Sequence, residues 1–461
     1  MQSSNLHALL QSFSSVEMRE LRKFLTSPFF NSRSDLVQLF DYLVGHPTAS
    51  KEQVWQQLVA DQPFDDQKLR LLMSYLHRLL EQYLSVKEIT SNDLGNRLHL
   101  AVAYRKRGLT AAFERSRNAL EKAMDEQPLR DAFFYHTHYQ LTWEKYHTAT
   151  AQNPAVELPL KDLASSIDLF YLSSRLRLIC FALAQQSVYH ADMPDFMASK
   201  IVALAEADHW AAEPTVAVFL HCYRMLKNLE EEVHFQRFKQ LLQQVNPLFK
   251  LDEMRELNTF AINYCIRRLN DGRGSYLQEL LDLYKSGLAS GHLIVNGVLS
   301  RFTYHNIVGA GLRSGDLDWV NFFIHEYKNA LERSYRESSF SFSLARLEFA
   351  RHRYDAVLEL LQKANYRDPL INLAAKTLLL KTWYELGEHD LLHAHLDAMR
   401  NYIHRKRVIG YHRTNYLNIV RFTDKLLRLN WNNKKEVESL KNELAKEEVL
   451  TEKEWLLGQV G

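Results

Sequence analysis

Hydrophobic residues recur at helical spacing along almost the whole chain. Within 66–88 they follow the i, i+3 or i+4, i+7 spacing that places side chains on one face of a helix, at Leu71, Leu72, Tyr75, Leu76, Leu79, Leu80 and Leu84. Strict alternation of apolar and polar residues, which is typical of a half-buried strand, is hard to find over a comparable length. The pattern therefore predicts an all-α fold with about twenty helices and no sheet of any size.

Residues 1–92 are predicted to form an N-terminal helical unit. The apolar periodicity places helices there over 5–13, 15–27, 34–44, 50–60 and 66–88. Ser14 and Glu17 have the spacing of a capping box, in which each side chain satisfies the other residue's backbone N–H, and Ser50 and Gln53 repeat that spacing.

Beyond residue 92 the pattern becomes one of helix pairs. Glycines that can end a helix in the left-handed conformation lie between the paired segments, at Gly108, Gly272, Gly315 and Gly387. Gly272 and Gly315 are 43 residues apart, and an equivalent turn is expected at His352. A period of about 35–43 residues is typical of helical repeat arrays. We expect such an array over 93–430, followed by a charged C-terminal helical region over 431–461.

The segment 343–369 carries a family resemblance. Its residues fit the small, aromatic, large, small and proline positions of a tetratricopeptide (TPR) repeat at Ala345, Tyr354, Leu361, Ala364 and Pro369. The segment departs from the motif at Glu348, His352 and Val357. The next segment, 377–399, keeps Leu379, Trp383, Gly387 and Leu396 but has Leu392 and Met399 at small positions.

This resemblance implies an architecture without an activity. It implies an α-α superhelix, a TPR-like solenoid in which small residues let helices approach and large ones fill the groove of the next pair, with 1–92 as an N-terminal helical cap. The chain as a whole is similar to uncharacterised bacterial TPR-like proteins, and that likeness brings no function with it.

Composition narrows the class of protein further. The chain has 15 Gly and 10 Pro among its 461 residues, where average usage would give roughly 55 in total. That deficit argues against collagen-like, disordered and all-β chains. The formal net charge is +2, so no global charge attracts the chain to nucleic acid or to a membrane.

Cysteine usage and the N-terminal segment point to the cytoplasm. Cys180, Cys222 and Cys265 lie far apart without a CxxC pair, which is typical of a reducing compartment. Residues 1–15 lack the basic and long apolar parts of a secretory signal. No apolar run approaches the ~18 residues of a membrane span. We therefore expect a cytoplasmic protein without a membrane partner.

The strongest local signal is the basic segment 400–428. It holds eight Lys and Arg residues against a single Asp424. On a helix over 410–430 the cations share one face and apolar residues the other. The candidate partner-binding residues are Arg405, Lys406, Arg407, Arg413, Arg421, Lys425 and Arg428. The functional interpretation is a surface for an acidic protein or peptide, with a nucleic-acid backbone as the weaker alternative. The structural interpretation is a solvated face that pairs with the Glu-rich segment 436–454.

Two segments of the N-terminal unit resemble the last two helices of some winged-helix domains. They are ASKEQVWQQLV and PFDDQKLRLLMSYLHRLLEQYL. A DNA-reading helix needs several basic or amide side chains in the groove, whereas this long helix is nearly balanced in charge. The segment YLSVKEIT is the only candidate in the N-terminal unit for the β-wing of such a domain. The alternative is a helical cap on the array.

Metal and enzyme signals are weak. His389 and His393 have the i, i+4 spacing of two zinc ligands, with His395 nearby, but no cysteine or further ligand motif completes a site. The segment 309–315, GAGLRSG, half-imitates a dinucleotide loop without its βαβ context. Cys180 lies in an apolar helix and is expected in the core. The aromatic segment 133–147 could line a peptide groove or fill the grooves between repeats.

The sequence therefore favours a non-enzymatic protein-protein interaction scaffold that binds a peptide or partner protein of acidic character. We expect no cofactor and no metal. The alternative is a transcription-type regulator, with DNA binding in 1–92 and a TPR-like sensor array.

Overall fold

The computed structural model describes residues 4–59, 62–152, 158–189, 197–207, 209–363, 366, 368–405 and 411–461. Over these residues the chain forms 23 α-helices, three short 3₁₀ turns and one hairpin of two-residue strands, β1 (Ile294–Val295) and β2 (Val298–Leu299). The predicted all-α class is confirmed.

The chain divides into two compact units, Met1–Ser174 and Arg175–Gly461. The first unit contains eight complete helices: α1 (Asn5–Ser12), α2 (Ser15–Thr26), α3 (Ser34–Gly45), α4 (Lys51–Leu58), α5 (Asp66–Ser91), α6 (Asp93–Lys106), α7 (Thr110–Glu126) and α8 (Ala132–Gln152). The division falls within α9 (Leu160–Tyr189). The predicted boundary at residue 92 lies inside the first unit.

The second unit contains the remaining helices. They are α10 (Ala198–Glu206), α11 (Pro214–Lys227), α12 (Glu232–Val245), α13 (Leu251–Asn270), α14 (Tyr276–Ala289), α15 (Arg301–Ser314), α16 (Leu317–Glu326), α17 (Arg336–Ala350), α18 (Tyr354–Lys363), α19 (Pro369–Glu385), α20 (His389–Arg405), α21 (Tyr411–Arg428), α22 (Lys434–Lys446) and α23 (Lys453–Gln459). No helix in the described ranges combines the length and the apolar composition that a membrane crossing demands.

Helices α1–α5 match the five predicted ranges to within a few residues and share one hydrophobic cluster. Both predicted capping boxes form. The Ser14 N–H donates to Glu17 Oε2 at 2.9 Å, and the Glu17 N–H donates back to Ser14 Oγ at 3.3 Å. Ser50 and Gln53 repeat this exchange at 2.8 and 3.3 Å. The candidate wing YLSVKEIT is wrong as a strand, because the whole segment belongs to α5.

The predicted turns between paired helices also form. Gly108, Gly272, Gly315 and Gly387 all have positive φ, and so does His352, at 57°. After Gly387 the Glu388 N–H bonds to the Trp383 carbonyl, and after His352 the Arg353 N–H bonds to the Glu348 carbonyl. Both are the six-residue bond of a Schellman motif, which satisfies carbonyls at the end of a helix. His352 therefore adopts the left-handed conformation that glycine adopts at the other turns.

The TPR-like segment forms the pair α17–α18. Ala345 and Val357 are fully buried in a cluster that also contains Leu361 and, from α19, Ala375. Pro369 opens α19 at its first turn, where a missing N–H costs nothing. Ala364 lies outside the described residues. At the non-consensus position the Glu348 carboxylate is largely buried and pairs with Arg351 at 3.0 Å.

The C-terminal helices pack on the last helix pairs. Leu444 and Leu456 join a buried cluster with Leu380 of α19 and Phe422 of α21. The Trp455 Nε1–H donates to Glu385 Oε1 at 2.7 Å. Residues 455–457 thus dock onto α19 and the helices that follow it.

Candidate functional site

The predicted basic face lies on an amphipathic helix, as expected. In α21 the side chains opposite the cations are buried, at Ile419, Val420, Phe422 and Leu426. Three of the predicted cations, however, are already paired within the chain. Arg421 bonds to Glu447 at 2.8 Å, Lys425 to Glu443 at 2.6 Å, and Arg428 to Asp424 at 3.1 Å.

Two of these pairs are with the Glu-rich segment 436–454. Glu443 of α22 pairs with Lys425, and Glu447 in the turn after α22 pairs with Arg421. This half of the face therefore has the ion pairs that the structural interpretation predicts. Such exposed pairs hold their partners only weakly. An incoming acidic ligand would nonetheless have to displace them.

The other half of the predicted face retains two uncompensated cations. Arg405 donates only to the Asn401 carbonyl, at 3.4 Å, and Arg413 contacts His404 Nδ1 at 3.4 Å. Neither has a carboxylate partner within the described part of the chain. Lys406 and Arg407 lie outside the described residues.

The structure brings together a second group of polar and cationic side chains that the sequence did not single out. It is carried by α15, α17 and α19, the first helices of three successive pairs. We call it the Phe342 cluster. His305, Arg346 and Tyr366 surround the Phe342 ring, Arg301 lies one turn before His305 on α15, and Asn372, bonded to the Tyr366 carbonyl, and Lys376 follow on α19. The rings of His305 and Tyr366 lie 5.5 and 6.4 Å from the Phe342 ring, and the Arg346 guanidinium lies 5.8 Å from it.

Arg346 is the central cation of this cluster. Its Nη1 donates to the His305 carbonyl at 3.3 Å, and burial lowers the pKa of its guanidinium. No carboxylate in the described ranges forms an ion pair with it, although the charge of Glu452 acts on it and partly opposes the shift. A desolvated charge without a directly bonded counter-ion is costly, so an anion placed here would recover part of that cost.

Gly309 of α15 makes room for this guanidinium. A Cβ at position 309 would come within 3.2 Å of Arg346 Nη2. Gly311, two residues further on, packs against α16, because a Cβ there would lie 2.4 Å from Val320 Cγ2. The first two glycines of the GAGLRSG segment, Gly309 and Gly311, thus serve side-chain packing against α15, and the third, Gly315, forms the turn after it.

Lys376 of α19 is a second uncompensated cation. Its Nζ lies 5.6 Å from the centre of the Tyr402 ring, and burial lowers its pKa. Among the residues the structure describes, no carboxylate pairs with it. Arg301, by contrast, is neutralised by Asp368 at 3.1 Å and lies 3.9 Å from the Tyr335 ring centre.

Several polar atoms of the Phe342 cluster are buried without a hydrogen-bond partner in the described structure. They are Arg301 Nε, His305 Nε2, Tyr366 Oη and Asn372 Oδ1. Buried polar atoms in native proteins are normally satisfied. Their concentration beside Arg346 is typical of a site that a ligand or water completes.

His305 is held as a neutral imidazole. Ser343 Oγ lies 3.3 Å from its Nδ1. Burial first, and then the nearby charges of Arg346 and Arg301, lower the pKa of His305 to about 3. The Arg346 and Arg301 charges disfavour a further cation beside His305, and the Asp368 carboxylate partly offsets them.

The remaining candidate residues do not converge. The His395 Nε2–H donates to the Lys376 carbonyl at 2.7 Å, and no group of three His, Cys, Asp or Glu residues in the described ranges could hold a metal. Cys180 is fully buried, and its thiol donates to the Phe219 carbonyl at 3.3 Å, as expected of a core residue. In α5 the basic side chains pair locally, with Arg70 bonding to Asp66 at 2.7 Å.

The aromatic segment on α8 is partly buried and partly exposed, so some of its residues fill a groove and others remain at the surface. Phe134 and Tyr135 are buried in the cluster with Leu120, which favours groove filling. Trp143 is 40% exposed and contacts the Tyr139 ring at 6.3 Å. Its neighbours also include the rings of Tyr146 and His147.

Comparison with known proteins finds no matching family model, no matching curated protein and no matching solved structure. The tetratricopeptide resemblance therefore stays a prediction.

Proposed function

We propose that this protein is a non-enzymatic interaction scaffold that binds an acidic segment of a partner protein at the Phe342 cluster. In this proposal the helix pairs stack as a TPR-like superhelix, and α15, α17 and α19 face the partner. The observation that carries the proposal is Arg346, a desolvated cation that lacks a carboxylate among the described residues. We also propose a cytoplasmic location, which the three buried, unpaired thiols support.

The number of uncompensated charges favours a protein over a nucleic acid. Only Arg346 and Lys376 are uncompensated within the described cluster, since Arg301 is bonded to Asp368. One or two carboxylates would balance them. A nucleic-acid backbone carries a phosphate at every nucleotide, so a protein that binds it normally presents several cations.

The surroundings of these cations suit Asp or Glu side chains. The Phe342 ring lies beside Arg346 and the Tyr402 ring beside Lys376, and each ring offers apolar surface for the methylene groups of an acidic side chain. The guanidinium presents two parallel N–H donors, which match the two oxygens of a carboxylate.

The predicted basic face extends this surface in our proposal. Tyr402 and Arg405 follow one another by one turn near the end of α20, so Arg405 and Arg413 would meet residues that flank the acidic group. Arg421, Lys425 and Arg428 would contribute less, because each already has a carboxylate partner.

The experiment measures fluorescence anisotropy of a labelled Glu-rich decapeptide added to the full chain. A peptide with Gln in place of every Glu is the control ligand. We expect Arg346→Gln to weaken binding of the acidic peptide at least tenfold, since it removes a charge-assisted bidentate contact worth roughly 1.5–3 kcal/mol. Lys122→Gln is the matched control, because it removes an exposed cation of α7 that the proposal does not use, and it should leave affinity unchanged.

Two results would overturn the proposal. One is equal binding of the Glu and Gln peptides by the wild-type chain. The other is tight, salt-sensitive binding of a DNA duplex that Arg346→Gln leaves intact while the peptide is ignored, which would favour the regulator alternative.

A further inference from the structure

The chain carries an acidic segment of its own beside the helices that we propose as the partner site. The Glu-rich segment 436–454 supplies three carboxylates to cations of α19 and α21. Two of them pair with Arg421 and Lys425 of α21. The third, Glu452, pairs with Lys381 of α19, with 2.6 Å between Oε2 and Nζ.

The pair between Glu452 and Lys381 differs from the other two in the burial of its cation. The Lys381 side chain is 12% exposed, whereas those of Lys425 and Arg421 are 43% and 48% exposed. Lys381 Nζ lies 4.6 Å from the centre of the Phe349 ring of α17 and 5.6 Å from that of Trp455. A largely buried ammonium depends on a counter-ion, so an anion that replaces Glu452 would be held in its place.

The charge of Glu452 also reaches the central cation of the Phe342 cluster. It favours the charged form of Arg346 and so partly opposes the lowering of the Arg346 pKa by burial. Arg346 and Lys381 lie on α17 and α19, which share one buried cluster. A partner carboxylate at Arg346 would therefore be repelled by Glu452 as long as Glu452 keeps its present position.

The Glu452 carboxylate can leave Lys381 without undocking of α23. The Glu452 side chain is 39% exposed, so its carboxylate can turn into solvent. Leu450 and Leu456 on either side of it are buried in the cluster with Phe422, and they keep the segment in place. Glu452 has φ of 55°, in the left-handed region that favours glycine. The ion pair with Lys381 is the contact that a glycine at this position would lose.

We propose that Glu452 is an internal ligand of the acidic-partner site and that the partner binds by displacing its carboxylate from Lys381. This inference rests on the proposed scaffold function and adds an autoinhibitory contact to it. A segment with a single carboxylate would meet the repulsion of Glu452. A segment with a second carboxylate can replace Glu452 on Lys381, so segments with several acidic residues are selected.

The test measures the fluorescence anisotropy of the labelled Glu-rich decapeptide on the full chain. Glu452→Gln should raise the affinity about three- to tenfold, because it removes the competing carboxylate and leaves the Lys381 charge for the peptide. Glu454→Gln is the matched control, because it removes the same charge from an exposed residue of α23, and it should leave the affinity unchanged. A gain of affinity cannot result from partial unfolding of the variant.

A second variant tests whether Lys381 is the group that is exchanged. Lys381→Gln should weaken binding of the Glu-rich decapeptide, since the peptide then lacks the cation that Glu452 would release. In the Lys381→Gln background, Glu452→Gln should improve the affinity by a smaller factor than in the wild type. An equal factor in both backgrounds would contradict displacement from Lys381.

Unchanged or weaker binding by Glu452→Gln would overturn the inference, and so would an equal gain from Glu454→Gln. If the wild-type chain still prefers the Glu peptide to the Gln peptide and loses affinity on Arg346→Gln, the scaffold proposal stands and only the displacement of Glu452 fails. If neither the wild-type chain nor Glu452→Gln binds the Glu peptide, both proposals fail.

Discussion

The guanidinium of Arg346 lies against Gly309 on the neighbouring helix, where a Cβ would come within 3.2 Å of Nη2. Gly309 is in the interior of α15, where glycine costs about 1 kcal/mol relative to alanine. The space it leaves is filled by the charged side chain of α17. The position of the central cation of the Phe342 cluster thus depends on a residue with no side chain of its own.

Gly309→Ala should separate stability from binding. The added methyl group displaces the flexible end of Arg346, while the helix gains up to about 1 kcal/mol of propensity. We expect the free energy of unfolding to stay constant or rise and the affinity for the Glu-rich peptide to fall several-fold. Denaturant unfolding and peptide anisotropy on the same sample measure both. An unchanged affinity would show that peptide binding does not depend on the present position of the Arg346 guanidinium.

Gly311→Ala should destabilise the chain. A Cβ at 311 would lie 2.4 Å from Val320 Cγ2, and Val320 is fully buried and β-branched. Overpacking of this kind costs about 1–3 kcal/mol. Gly45→Ala at the end of α3 is the control, because a Cβ there meets nothing within 4 Å. If thermal unfolding shows equal effects for both variants, the close approach of α15 and α16 is not the reason for Gly311.

His352→Gly should stabilise the α17–α18 turn. His352 has φ of 57°, a conformation that costs a side-chain-bearing residue roughly 1–2 kcal/mol. The exposed contact between His352 Nδ1 and the Tyr354 hydroxyl at 2.9 Å offsets a small part of that strain. The reverse change, Gly387→His at the equivalent turn, should lower the free energy of unfolding by a similar amount. Shifts of both variants in the same direction would contradict this account.

His305 should make the chain acid-sensitive. Its pKa is about 3 in the folded chain, against about 6.5 for an unperturbed histidine. As pH falls from 6.5 towards 3, the unfolded chain takes up a proton that the folded chain excludes, so the free energy of unfolding falls by up to about 1.4 kcal/mol per pH unit. His305→Gln should reduce this slope between pH 6 and pH 4 in denaturant titrations. A slope identical to that of the wild type would mean that His305 titrates normally.

The pair between Lys425 and Glu443 should contribute little to stability. Their side chains are 43% and 42% exposed, and exposed pairs are typically worth up to about 1 kcal/mol. Lys425→Ala and Glu443→Ala should each cost less than about 1 kcal/mol, and the double variant measures their coupling. A coupling well above that value would identify this face as a structural network.

The secondary structure could be predicted because its causes are local. Ser14 and Glu17 of the capping box are three residues apart, and the turn at His352 is closed by a bond between residues five apart. Apolar residues at helical spacing likewise specify the buried face of α21 without reference to its neighbours. Ranges, turns and caps were therefore predictable to within a few residues.

The candidate site could be predicted only in part, because charge pairing is not local. The sequence left two interpretations of the basic segment open, one of them pairing with 436–454, and only the structure shows which cations pair, such as Arg421 with Glu447, 26 residues further along the chain. Nothing in the sequence distinguishes Arg346, since a single arginine in a helix forms no pattern. The only local sign of its surroundings is Gly309 in GAGLRSG, a segment that also half-imitates a dinucleotide loop.

Sequence periodicity was sufficient to specify an all-α chain, its helix pairs and the turns between them, because these depend on contacts within one or two turns of helix. Tertiary structure alone decided which cations lack a bonded carboxylate and which polar atoms are buried without a partner among the described residues. Arg346, Lys376 and His305 acquire their character from residues on other helices, and desolvation by those residues is what turns an ordinary side chain into a candidate binding group.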